Sequence, residues 1–299
     1  MASLSAQLLK HFFRRTIKRD DLDDNTLVPH LRRSMNAPQP QLLPFGVSAS
    51  GFQLGEFRGT YVTVAEPELT LLYLHGGAFV AGRPQTYHNF VGRLAKSLKA
   101  QVFLPDYPLA PEHPFPAGVN YCYGLYRYLL EEEKINPQKL VVMGDSAGGG
   151  LTFSTLLCAK RDGLAFPRCA VTFSPAVNIR GDDESVVRNA QSDAMLSRCM
   201  IEQVPAVYAS PEDWDNPLVS PIDGDFSGCP PVFISSCREE CLYDSDKKMA
   251  SLLRHQGVAV RWLERFDTFH VWPIFLPWLA EARADFDKII DFIRRPQKY

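Results

Sequence analysis

With 299 residues, 45% of them hydrophobic and 22% charged, the chain has ordinary globular composition and enough apolar material for one large domain or two modest ones. Its 32 Lys and Arg face 34 Asp and Glu, a formal net charge of -2, so no global field favours nucleic acid or an anionic membrane. No apolar run approaches the roughly 20 residues that a membrane span needs, and no secretory hydrophobic segment is present.

The opening MASLSAQLLKHFFRRTIKRD has no acidic residue before Asp20, as in a targeting presequence, but Leu8, Leu9, Phe12, Phe13 and Ile17 recur at helical spacing. That pattern reads better as a surface helix packed on the body of the protein. Residues 1 to about 45 supply no convincing strand. Beyond them, short apolar runs predict strands at 70–75, 101–107, 140–144, 169–175, 231–237 and 259–266. Segments of helical period fall between or after them at 90–99, 118–133, 147–161, 245–256 and 280–294. This alternation predicts an α/β chain with a mostly parallel central sheet covered by helices on both faces.

The alternation breaks again from residue 177 to about 215, where the chain is polar and irregular before a helical piece. Insertions in α/β folds gather at the carboxyl ends of the strands, where ligands bind. Residues 1–45 and 177–215 are therefore expected to form a small helical cap, and 46–176 with 216–299 the catalytic core.

The seven cysteines are scattered and mostly lie in apolar stretches, which points to a reducing compartment and a cytoplasmic location. Cys237 and Cys241 make a lone C-x3-C pair without the second ligand pair of a structural zinc site, so no metal is expected.

The stretch LVVMGDSAGGGLT, residues 140–152, runs from a predicted strand into a predicted helix through Gly144-Asp145-Ser146-Ala147-Gly148. A serine with glycine two places to either side, between a strand and a helix, is the pattern of a nucleophile elbow, in which the tight turn lifts the hydroxyl above the sheet. The stretch has neither the G-x-G-x-x-G spacing of a dinucleotide site nor the lysine of a phosphate loop, so no cofactor is expected.

A serine hydroxyl is a weak nucleophile at neutral pH and requires a base, an acid to orient that base, and donors for an oxyanion. The strand ending in His75-Gly76-Gly77-Ala78 offers backbone N–H groups without bulky side chains, and Gly76, Gly77 and Ala147 are the expected oxyanion hole. Of the seven histidines, His11 and His30 lie in the cap region, His75, His88 and His113 precede Ser146, and His255 sits on a helix end before Gly257; His270, in FDTFHVW after the last predicted strand, remains and keeps the order serine, acid, histidine. The acid is expected on the loop after PVFISSC, where REECLYDSD offers Glu239, Glu240, Asp244 and Asp246.

Taken together, the chain resembles the hormone-sensitive-lipase-like branch of the α/β-hydrolase fold, the bacterial carboxylesterase type, from about residue 45 to the end. HGGAFVAG resembles its oxyanion block, DYPLAPEHPFPAG its structural brace, GDSAGGGL its elbow, SPIDGDFSGCPPVFI the approach to its penultimate strand and HVWPIF its histidine block. Two positions depart from the pattern: Ala78 stands where a third glycine is common, and the usual Asp-Pro-Leu of the acid block is Glu240-Cys241-Leu242. The resemblance thus implies Ser146, Glu240 and His270 as the triad, with Asp244 in a supporting place. It implies an esterase acting on short- to medium-chain carboxylic esters through an acyl-enzyme. Amide or formamide hydrolysis by the same triad is the alternative, and a non-catalytic receptor on this fold is disfavoured by His270. The expected partner is a small-molecule ester, with no nucleic acid and no membrane span, and a homo-oligomer is left open.

Overall fold

The computed structural model describes residues 2–23, 25–37 and 40–299. Two helices, α1 (Leu4–Thr16) and α2 (Leu27–Met35), precede the hairpin β1 (Val47–Leu54) and β2 (Phe57–Val64). The chain then alternates through β3 (Leu69–Leu74), α3 (His88–Leu98), β4 (Ala100–Pro105), α4 (Ala117–Glu131), β5 (Leu140–Asp145), α5 (Ala147–Arg161) and β6 (Cys169–Phe173). After the short helices α6 (Glu184–Arg188) and α7 (Arg198–Tyr208) it resumes with β7 (Val232–Cys237), α8 (Tyr243–His255), β8 (Val260–Arg265) and α9 (Ala280–Arg294).

The strands form one eight-stranded sheet in the order β1-β2-β4-β3-β5-β6-β7-β8, antiparallel at the β1, β2 and β4 contacts and parallel from β4 to β8. The six predicted strands are all present within a residue or two. The β1–β2 hairpin was not predicted, because β1, VSASGFQL, lies largely exposed at the sheet edge and has little apolar alternation to detect. By contrast β5 is buried along its whole length, the mark of a central parallel strand.

Side-chain alternation divides the core. Leu71 and Tyr73 face a cluster with Phe90, Leu94, Ile289 and Phe292 from α3 and α9, while Leu72 and Leu74 face one with Leu125 and Leu129 of α4 and Leu151 of α5. A third cluster joins Phe153 and Leu156 of α5 to Met249 and Leu253 of α8.

The N-terminal helices pack against the segment after β6. Arg14 Nη2 donates to Ser192 O at 3.1 Å, Gln203 Nε2 to Leu22 O at 2.6 Å, and Lys18 Nζ to the carbonyls of Ala190 and Asp193. Leu27, Val28 and Leu31 of α2 join Met200, Val204 and Tyr208 of α7 in one buried cluster that includes Phe79.

Candidate active site

Ser146 closes β5 and caps α5 with φ 52° and ψ -122°, a conformation an L-residue holds only under constraint from its surroundings. The constraint is visible in the flanking glycines. A Cβ on Gly148 would run into the carbonyl oxygen of Leu74, and one on Gly144 into the carbonyl of Gly148, so the turn closes only with glycine at both places. The strain turns the Ser146 side chain out of the sheet and leaves it partly exposed.

His270 sits in the loop after β8, and the next residue, Val271, has φ 54°. That is an uncommon conformation for a β-branched residue, and here the Val271 N–H donates to Ser174 Oγ at 3.1 Å. The imidazole Nε2 lies 2.9 Å from Ser146 Oγ and Nδ1 lies 2.6 Å from Glu240 Oε2. These partners assign the tautomer: Nδ1–H donates to the carboxylate and Nε2 accepts from the serine hydroxyl. The second carboxylate oxygen, Oε1, accepts from Ser236 Oγ at 2.7 Å and from the Cys237 N–H at 2.8 Å. Both Glu240 and His270 are buried, at 1% and 3% exposure, so the pair operates in a dry environment.

Burial opposes protonation of His270, but the Glu240 hydrogen bond and charge, with the charges of Asp193 and Asp145, outweigh it and raise the pKa above 6.5. The other candidate acids have no hydrogen bond to the imidazole, although Asp246 lies close enough to Glu240 to feel its charge. Asp244 Oδ1 takes Arg188 Nη2 at 2.7 Å and Glu239 Oε2 takes Lys10 Nζ at 2.5 Å, while Asp246 is fully buried in α8.

The Gly76 N–H is occupied, donating to Tyr87 OH at 2.9 Å and Asp145 Oδ1 at 3.1 Å. Asp145, fully buried, also accepts from Tyr73 OH at 2.9 Å and Tyr87 OH at 3.0 Å; burial raises its pKa to about 6 against these hydrogen bonds. Gly76 is therefore tied to the elbow from behind and is not a free donor. Its carbonyl accepts from His75 Nδ1 at 2.8 Å, and the His75 ring, whose pKa burial lowers to about 4, stacks on Tyr107 with centroids 4.2 Å apart. Sequence reasoning missed Tyr73, Tyr87 and Ser174, which act on residues far along the chain, and Ser236, four residues before Glu240, because no local motif announces any of them.

A strand-elbow-helix turn whose serine meets a buried histidine–carboxylate pair is the arrangement of an acyl-transfer hydrolase. The profile of the alpha/beta hydrolase fold family matches residues 71–274. The chain belongs to the α/β-hydrolase family. Within it the chain is a hormone-sensitive-lipase-like serine hydrolase of the carboxylesterase type. An acetyl-hydrolase of Streptomyces hygroscopicus is 32% identical to this hydrolase over 225 residues, 75% of each chain. An esterase of Acinetobacter venetianus is 29% identical over 223 residues, covering 74% of this chain and 73% of that one. Among solved structures, the esterase EstE5 soaked with p-nitrophenyl butyrate superposes with a TM-score of 0.89 at 28% identity, over 98% of this chain and 99% of that one. The hormone-sensitive-lipase homologue EstE7 from a metagenome library superposes at 0.85 with 28% identity over the same shares.

Among the described residues, no helix of this hydrolase is long and apolar enough to cross a membrane.

Proposed function

We propose that this hydrolase cleaves short- to medium-chain carboxylic esters with Ser146 as nucleophile, His270 as general base and acid, and Glu240 as the triad acid. The observation that carries the reading is the continuous contact from Ser146 Oγ through His270 to Glu240, at 2.9 and 2.6 Å. As Ser146 Oγ bonds to the ester carbonyl carbon, its proton passes to His270 Nε2 and Glu240 stabilises the imidazolium. The tetrahedral intermediate then collapses, the alkoxide leaves with the proton from His270, and the acyl group stays on Ser146. Water, deprotonated by His270, attacks the acyl-enzyme and releases the acid with Ser146 restored.

The developing oxyanion is assigned to the backbone N–H groups of Gly77, Ala78 and Ala147. Ala78 enters in place of Gly76, whose N–H is spent on Asp145 and Tyr87. The alanine methyl leaves the backbone donor intact. Residues 1–45 and 177–215 are assigned as the cap over the acyl pocket, supported by the hydrogen bonds and buried cluster that join them. A relative named as an acetyl-hydrolase and the butyrate ester soaked into EstE5 favour short acyl chains. Seven free cysteines support a reducing, cytoplasmic setting.

A series of p-nitrophenyl esters from acetate to laurate, with an anilide for comparison, tests this reading. The expected result is highest kcat/KM at two to six acyl carbons and little anilide cleavage. Fluorophosphonate labelling confined to Ser146 is expected, and labelling elsewhere would sink the assignment.

A further inference from the structure

The segment 184–197, which interrupts the α/β alternation, lies across the backbone of the loop that carries Glu240. Asn189 Nδ2 donates to both Arg238 O and Glu240 O at 2.9 Å. Ser192 Oγ donates to Glu239 O at 3.1 Å and Ser185 Oγ to Cys241 O at 2.6 Å. Each carbonyl from Arg238 to Cys241 is thus engaged by a side chain of the insertion.

Asp193 completes the arrangement from the donor side. Its Oδ2 accepts the Cys241 N–H at 2.8 Å, and its Oδ1 accepts the N–H groups of Met195 and Leu196 at 2.8 and 2.9 Å. Ser185, Asp193 and Asn189 are 0%, 2% and 7% exposed, so bulk water does not stand ready to replace these bonds. A loop that must deliver a carboxylate to an imidazole nitrogen within a few tenths of an ångström is here held by groups about 50 residues away in sequence.

We propose that Asn189 and Asp193 are positioning residues for the triad acid, so that the inserted segment is part of the catalytic apparatus as well as a cover. Asn189 sets the path of the loop on either side of Glu239, and Asp193 anchors Cys241 while adding a buried negative charge to those of Glu240 and Asp145 that bear on His270. The inference rests on the reading of Glu240 as the triad acid.

The two residues act differently, and this separates them from generic structural supports. Asn189 is neutral and works through geometry alone. Asp193 is a charge whose field favours the imidazolium. The charged groups that bear on His270 are Glu240, Asp193 and Asp145. Those around Asp193 are His270, the Cys241 and Cys237 thiols, which burial raises, and the Lys18 ammonium on its carbonyl.

The test measures kcat, KM and the pH profile of kcat/KM for Asn189→Ala, Asp193→Asn and Glu240→Gln, beside a melting curve and the rate of fluorophosphonate labelling. Asn189→Ala is expected to lower kcat about tenfold or more, with KM within about twofold and the acid limb unmoved, as a displaced catalytic group does. Asp193→Asn is expected to lower kcat and also to move the acid limb to lower pH, because one charge favouring the imidazolium is gone. If both variants fold and keep wild-type kcat while Glu240→Gln is inactive, the positioning role is wrong and the triad reading stands. If Asp193→Asn loses activity with its acid limb unmoved, its charge has no part and that half of the inference falls. If Glu240→Gln stays active, the triad reading and this inference fall together. Where a variant melts below assay temperature, labelling rates at lower temperature give the same comparison.

Discussion

Glu240 reaches His270 Nδ1 at 2.6 Å, while Asp244, four residues later, turns to Arg188 at 2.7 Å. The two carboxylates share one short segment yet face different environments: Glu240 is buried against Ser236 and the Cys237 N–H, and Asp244 lies in a partly exposed ion pair.

Glu240→Gln is expected to lower kcat by about 10⁴, because an amide can present its NH₂ to the imidazole and impose the wrong tautomer. Asp244→Asn removes a pair with Arg188 that is half exposed, and such pairs contribute about 0–1 kcal/mol. Steady-state kinetics on both variants decides the matter. A dead Asp244→Asn beside an active Glu240→Gln would move the triad acid by four residues.

The kcat/KM profile is expected to lose activity as pH falls, with a midpoint above 6.5. His270 accepts the serine proton only when neutral, and its pKa is raised although burial opposes the shift. The stability consequence has the opposite sign. A histidine with a raised folded pKa contributes stability that is full below its unfolded value and is lost as pH rises through the folded one. Rate profiles and melting curves from pH 5 to 9 measure the two. An acid limb centred well below 6.5 would show that Glu240 and its neighbours do not govern the imidazole.

Asp246→Asn is expected to stabilise the protein, more at pH 8 than at pH 5. Burial, with the charges of Glu240 and Asp183, holds the Asp246 carboxyl well above the usual range, and no donor meets either oxygen in good geometry. The folded state therefore keeps a proton that the unfolded chain releases near pH 4, and stability falls as pH rises above that value until the folded group ionises. An asparagine of the same shape removes that dependence. Parallel slopes of melting temperature against pH in both proteins would refute it.

Phe13→Ala is expected to cost about 3 kcal/mol and to reduce kcat in the protein that remains folded. Phe13 is 4% exposed, and its ring centroid lies 5.1 Å from Phe269 and 5.2 Å from Phe275, on either side of His270 in sequence. Truncation opens a cavity beside the histidine loop. Unchanged kcat at a temperature where the variant is fully folded would confine the role of α1 to stability.

The sequence by itself determined the alternation of β3 to β8 with α3, α4, α5, α8 and α9, and the elbow at Ser146. Both arise from short-range causes: apolar periodicity distinguishes strand from helix over a dozen residues, and glycine spacing reports a steric limit that is local to the turn. It also named Ser146, Glu240 and His270, partly from motif order and partly from family resemblance, but could not show that they meet. Tertiary structure decided the rest. Only the packed sheet brings Tyr87 and Asp145 to the Gly76 N–H, which removes that group from the free donors, and only there does Asp193 reach Cys241. The β1–β2 hairpin was hidden because its edge strand β1 is largely exposed and carries little apolar alternation, whereas the joining of α2 to α7 was hidden for the same reason as these contacts. These depend on which surfaces become buried together, a property of partners distant along the chain that no local pattern of residues records.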